Sequence, residues 1–273
     1  MLYFRYYIFA FLLNFILTFA DFVPPVRRGH TSVLVDKKLY FTGGFNKNAG
    51  NMNDFFYLDV SKHFTITALP WNDLNFTGSL QNAYISYIPA CSGGHFNDFI
   101  FIFGVLYNNF ANVSFTYIFD ISQQQWTIRN EPIKSKLFSC AKFYNGLSNA
   151  TNAPSDILAY CAITLPDDTI LYIGGTYGGG DPVPMNQSFL CDTESDKWKI
   201  LVLFGGVNDN VILGDLWILN IESYQWSAGN ISNPNGLTLW SHTANLVDNY
   251  MIVAFGQSTV DEPSQRIFML DVS

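Results

Sequence analysis

Five times along the chain a short apolar run ends at a glycine pair or its remnant: Gly43-Gly44, Phe103-Gly104, Gly174-Gly175, Gly205-Gly206 and Phe255-Gly256. A second apolar run follows each and closes on Asp59, Asp120, Asp192, Asn220 or Asp271, with gaps of 15, 16, 17, 14 and 15 residues from the last glycine. A tryptophan sits six residues further on at Trp126, Trp198 and Trp226, while Phe64 sits five on in the first copy. The runs, such as Ile100–Phe103 and Ile170–Ile173, are short, aromatic and β-branched, and turn residues bound them. That pattern predicts buried strands. Glycine at the strand end permits positive φ and a close backbone approach. Self-similarity at a period of about 50 residues predicts a propeller-type array.

The glycine pair, the spaced Asp and the following Trp together resemble the kelch repeat, and the resemblance spans residues 21–273. It implies an all-β, kelch-type β-propeller of four-stranded blades set around a channel. His30–Asp36 and His242–Asp248 match as blade-opening strands, each His 14 residues before its closing Gly, and Cys161 holds the same register. These histidines, glycines and tryptophans read as structural repeat residues. Trp198 and Gly206 are only eight residues apart, so the fourth copy has no room for its own opening strand. The expectation is five repeats with the fourth blade incomplete, one strand being shared between copies three and four. The last copy also lacks a fourth strand. Either Phe22–Arg27 supplies it and closes the ring, with Pro24-Pro25 confining the pairing to an edge, or the ring is open. A truncated or mis-spliced chain is the alternative reading of the missing strands.

Residues 1–20 stand outside this pattern. One Arg precedes an apolar stretch from Ile8 to Ala20, which ends in small residues at Thr18 and Ala20. This reads as a secretory signal peptide; about 13 apolar residues fall short of the ~20 that span a bilayer, and the alternative is an uncleaved anchor that recruits part of Met1–Tyr7. Export fits five Asn-x-Ser/Thr triplets, at Asn75, Asn112, Asn149, Asn186 and Asn230, as glycosylation sites. Four cysteines, Cys91, Cys140, Cys161 and Cys191, permit two disulfides. Cys161 with Cys191 is disfavoured, because two strand spacings separate them by more than a disulfide spans. Cys140 with either is preferred. A net charge of −8 with no basic cluster argues against nucleic acid as the partner.

Links after the second and fourth strands are long, and links after the first and third are short. Strand alternation places the long ones on one face. Loops of this kind carry function. Phe45 with Asn46, Tyr107 with Asn108, and Tyr177 with Asp181 are the candidate contacts there, aromatic rings beside amides or a carboxylate. The reading is a secreted binding module for a protein or glycan, with no catalysis, no metal and no cofactor. The resemblance also reaches galactose oxidase, which implies copper held by two Tyr and two His. The alternative is therefore an extracellular copper oxidase acting on sugar, although no local motif gathers those ligands. The glycine-rich Thr176–Pro182 lacks the Lys-Ser/Thr of a phosphate loop.

Overall fold

In the computed structural model the protein is almost wholly β. The structure describes residues 22–78, 80, 86–87, 90–108, 111–129, 157–158, 161–164, 170–173, 176–177, 189–191, 200–208, 211–220, 222–223, 225–229, 236–258 and 263–272.

The first sheet is built from β1 (Thr31–Val35), β2 (Lys38–Thr42), β5 (Phe55–Asp59) and β6 (Trp71–Asp73), antiparallel in that order, with a small hairpin of β3 (Phe45–Asn46) and β4 (Gly50–Asn51) beyond it. The second contains β7 (Ala90–Gly93), β8 (Phe99–Asn108), β9 (Ala111–Asp120) and β10 (Gln125–Arg129). Next come β11 (Ile157–Leu158), β12 (Cys161–Thr164), β13 (Ile170–Ile173), β14 (Thr176–Tyr177) and β15 (Phe189–Cys191). Of these, β12, β13 and β15 form the third sheet, and β11 pairs with β14. The fourth sheet is β16 (Ile200–Asn208), β17 (Val211–Asn220) and β18 (Gln225–Ala228). The fifth is β19 (Thr243–Val247), β20 (Tyr250–Ala254) and β21 (Ile267–Asp271).

Each repeat therefore folds as one antiparallel sheet, and the fourth, fifth, first and second sheets stack through their faces in a propeller-like arrangement. Phe55 of the first sheet meets Phe119 and Trp126 of the second edge-on, at 4.7 and 4.9 Å. Phe41 and Phe56 of the first sheet pack with Val247, Ile252 and Phe255 of the fifth. Met251 and Val253, on the other face of the fifth sheet, pack with Phe204 and Leu216 of the fourth. The spatial order is thus fourth, fifth, first, second, so the two ends of the chain lie side by side. Among the described residues no contact closes the array into a ring.

The repeat residues act through local chemistry. The carboxylates of Asp59 and Asp120 and the amide oxygen of Asn220 accept backbone N–H groups of Ser61, Ser122 and Ser223, which folds the turn after the third strand. Asp59 and Asp120 are held below the usual carboxylate range, chiefly by the Ser61 and Ser122 hydroxyls. Trp126 lies opposite Phe119, and Trp226 lies opposite Leu219. In the first sheet Trp71, not Phe64, holds that register, opposite Leu58. The segment 60–70 is a longer link than in the other copies, so the strand expected near Phe64 forms later.

Two further expectations change. The stretch Val105–Val113, read as a loop, is the outer end of a long hairpin running to Tyr107↔Asn112 and Asn108↔Ala111. Residues Phe22–Arg27 add no strand to β21, but they do run beside the segment that leads into it: Arg27 forms an antiparallel bridge with Ser264 and the Gln265 amide donates to the Pro24 carbonyl at 2.7 Å. Pro24 and Pro25 offer no N–H, which limits the pairing to this edge, and the Arg27 side chain is held by Asp54 and the Gly43 carbonyl. The fourth sheet lacks a first strand among the described residues, as its short spacing requires, and there β16 pairs with β17 alone.

Candidate functional site

The loop-bearing end is where each first strand begins and each second strand stops. At this end the first and fifth sheets meet. Arg28 and Phe45 exchange backbone hydrogen bonds of 3.1 and 2.8 Å, and Trp240 and Gln257 do the same at 3.0 and 2.9 Å. The pairs are equivalent: Arg28 and Trp240 each lie two residues before a repeat His, and Phe45 and Gln257 each follow a repeat Gly. The glycine is required by this crossing. A Cβ on Gly44 would stand 2.9 Å from the Arg28 carbonyl oxygen, and one on Gly256 would stand 2.8 Å from that of Trp240.

The four side chains form a quartet across the seam. An Arg28 Nη1 hydrogen donates to the Gln257 side-chain oxygen. The guanidinium carbon lies 5.3 Å from the Phe45 ring centre and 5.5 Å from that of Trp240, within cation–π range. Gly29 N–H donates to the Ser241 carbonyl at 2.9 Å, Tyr87 N–H donates to the Gly29 carbonyl at 2.6 Å, and the Tyr87 ring covers Gly29. The equivalence of Arg28 with Trp240 was readable from the repeat register. That alignment stopped at the histidines, so these residues were missed.

Beneath the quartet lies a structural layer. Arg27 is fully buried and forms a two-pronged ion pair with Asp54 at 2.6 and 2.7 Å. It also covers the Phe56 ring at 4.6 Å. His30 faces Thr243 Oγ1 across the seam at 2.9 Å. Burial, then the Arg27 and His242 charges, push His30 well below its ordinary range. Burial lowers His242 to about 4, partly opposed by its hydrogen bond to the Phe204 backbone. Both histidines are therefore neutral spacers at physiological pH.

Of the expected contact residues, Phe45 is half-buried under Arg28. Asn46 is buried, donates to the Val26 carbonyl, and accepts the Asn48 and Ala49 N–H groups, so its amide shapes the turn. Tyr107 and Asn108 lie on β8 and Tyr177 on β14, placed by backbone register. Asp181 lies outside the described residues. Asn75 is exposed in a short 3-10 turn, its oxygen accepting Phe55 N–H at 2.9 Å. Asn112 lies on β9; Asn149, Asn186 and Asn230 lie outside the described residues. Cys91 is buried on β7, and Cys140 lies outside the described residues. Cys161 pairs with Ile173 and Cys191 with Ile170, opposite ends of β13. No disulfide forms among the described residues, nor does any group of three His, Cys, Asp or Glu suited to a metal ion. No helix among them is long and apolar enough to cross a membrane.

No protein-family model matches the chain. It is similar to host cell factor 1 of rat and of human, 24% identical over 259 aligned residues in each case. The match covers 86% of this chain and 12% of those relatives' length. With five antiparallel sheets, this distant and partial likeness supports a relationship within the kelch superfamily.

Proposed function

We propose that the chain is a secreted, kelch-type binding module whose loop-bearing face holds a protein or glycan partner, and that it is not an enzyme. The carrying observation is the meeting of first and fifth sheets at the loop-bearing end. There the described ionisable groups beneath the surface, Arg27, Asp54 and His30, hold the seam together, and His242 packs the fifth sheet on Phe204 of the fourth. Phe45, Tyr87, Arg28 and Trp240 lie above them. The finer fold reading belongs to the same proposal: five blades of one wheel, with the fourth missing its innermost strand. Residues 1–20 direct export in this reading, and the asparagine triplets carry glycans.

A glycan array and a panel of secreted proteins, probed with the mature chain and with Phe45→Ala, Tyr107→Ala and Tyr177→Ala, test the proposal. Binding that is saturable and falls in these variants is expected. Turnover of simple sugars that depends on added copper, with stoichiometric copper uptake, would replace the binding module by the oxidase.

A further inference from the structure

Arg28, half-buried in the seam, differs from the fully buried Arg27 beneath it. Every Arg27 nitrogen has an acceptor: Pro25 and Gly43 carbonyls and the Asp54 carboxylate. Among the described residues Arg28 has one, the Gln257 oxygen on Nη1. Among the described residues no carboxylate lies within ion-pair distance of it. Its Nε is buried without a partner, and so are the Gln257 amide nitrogen and the Trp240 indole N–H. Gln257 is fully buried. The seam therefore holds three unanswered donors and a full positive charge within one quartet of touching residues. A buried donor without an acceptor costs free energy comparable to a lost hydrogen bond. A half-buried charge with no counter-charge among the described residues adds to that cost. A ligand supplying an anionic acceptor would relieve both.

The chemistry selects the anion. With Nη1 committed to Gln257, the guanidinium has its other edge, Nε and Nη2, to offer. That edge presents two parallel N–H groups, which match the two oxygens of a carboxylate. Phe45 and Trp240 already have the guanidinium against their rings, fixing its plane. The same contact occupies the ring faces that would stack on a sugar. A carboxylate side chain of a protein partner fits these facts better than a glycan.

We propose that Arg28, seated on Phe45 and Trp240 and oriented by Gln257, is a carboxylate-binding residue at the seam of the first and fifth sheets. It receives an Asp or Glu side chain of a protein partner. This rests on the loop-bearing face being the binding face and names the chemistry recognised there.

The test is a titration of the ¹⁵N-labelled mature chain, following the Trp240 indole N–H signal, assigned with Trp240→Phe. N-acetyl-glutamate is the probe, the neutral N-acetyl-glutamine its control, and glucuronate the sugar-borne carboxylate. N-acetyl-glutamate should shift the signal saturably and N-acetyl-glutamine should not. Arg28→Gln should weaken binding at least tenfold. Arg28→Lys, which keeps the charge without the fork, should fall between. Circular dichroism of each variant checks folding, and the wild-type titration stands without them. Equal shifts with the glutamine derivative, or undiminished binding by folded Arg28→Gln, would overturn the assignment. Tighter binding of glucuronate would overturn the protein-borne source. Partner binding elsewhere on the loop face with no carboxylate response would sink this inference and leave the binding module intact.

Discussion

Acidification should loosen the packing of the fifth sheet against the fourth, where His242 meets Phe204, and the effect can be worked out from that one residue. His242 is lowered from 6.5 to about 4 by burial. Between those values the unfolded chain binds a proton that the folded chain refuses. Stability is therefore full above pH 6.5 and declines as pH falls toward the folded value. Integrating the linkage from neutral pH down to about pH 5 gives a loss of about 2 kcal/mol from His242 alone. His30 is lowered too and adds to the loss in the same direction. Asp59 and Asp120, held below 3.8, lose their contribution only at lower pH and do not enter this window. Urea unfolding followed by tryptophan fluorescence at pH 7, 6 and 5 reads the effect. The midpoint should fall with pH, and His242→Gln should flatten the fall while lowering the starting value. A midpoint indifferent to pH over this range, or a slope undiminished in His242→Gln, would show that the histidine is not buried neutral against Phe204.

Other outcomes follow from single contacts. Asp54→Asn strips the counter-charge from fully buried Arg27 and should cost about 3–5 kcal/mol in urea unfolding, with Arg27→Met in the same chain recovering most of it. Phe255 is buried at φ 54°, where the first copy has Gly43. Phe255→Ala should cost about 3–5 kcal/mol, and Phe255→Gly about 1 kcal/mol less than Ala, because glycine carries no left-handed strain. Trp71→Ala should destabilise more than Phe64→Ala, by at least about 1 kcal/mol on the same assay, since Trp71 packs against Phe41, Phe56 and Phe255.

The sheets were legible because each hairpin is written locally. An apolar run, a glycine forced by a crossing backbone and an Asp that folds its own turn all lie within one copy. Trp71 was not legible, because the extra residues of 60–70 break the spacing that marks Trp126 and Trp226. The long hairpin through Tyr107 and Asn108 was mistaken for a loop because its tip is rich in asparagine, a turn former; ladder pairing overrode that preference. The seam was hidden for a different reason. Arg28 and Gln257 are 229 residues apart, and no local pattern says that the first and last sheets are neighbours. Asn46 looked like a contact residue because exposed and turn-shaping asparagines share one signature in a sequence.

The neighbouring of first and last sheets carries both the fold and the site, and one exposed pair reports on it directly. Lys37 Nζ lies 2.8 Å from the Asp248 carboxylate, across 211 residues of chain, with both side chains more than half exposed. A carbodiimide, which joins amine to carboxylate with no spacer, followed by peptide mapping in the mass spectrometer, should yield a Lys37–Asp248 linked peptide from the folded monomer and lose it in urea. Lys37 found joined only to carboxylates of other segments, with Asp248 unmodified by it, would mean that the two ends of the chain do not meet.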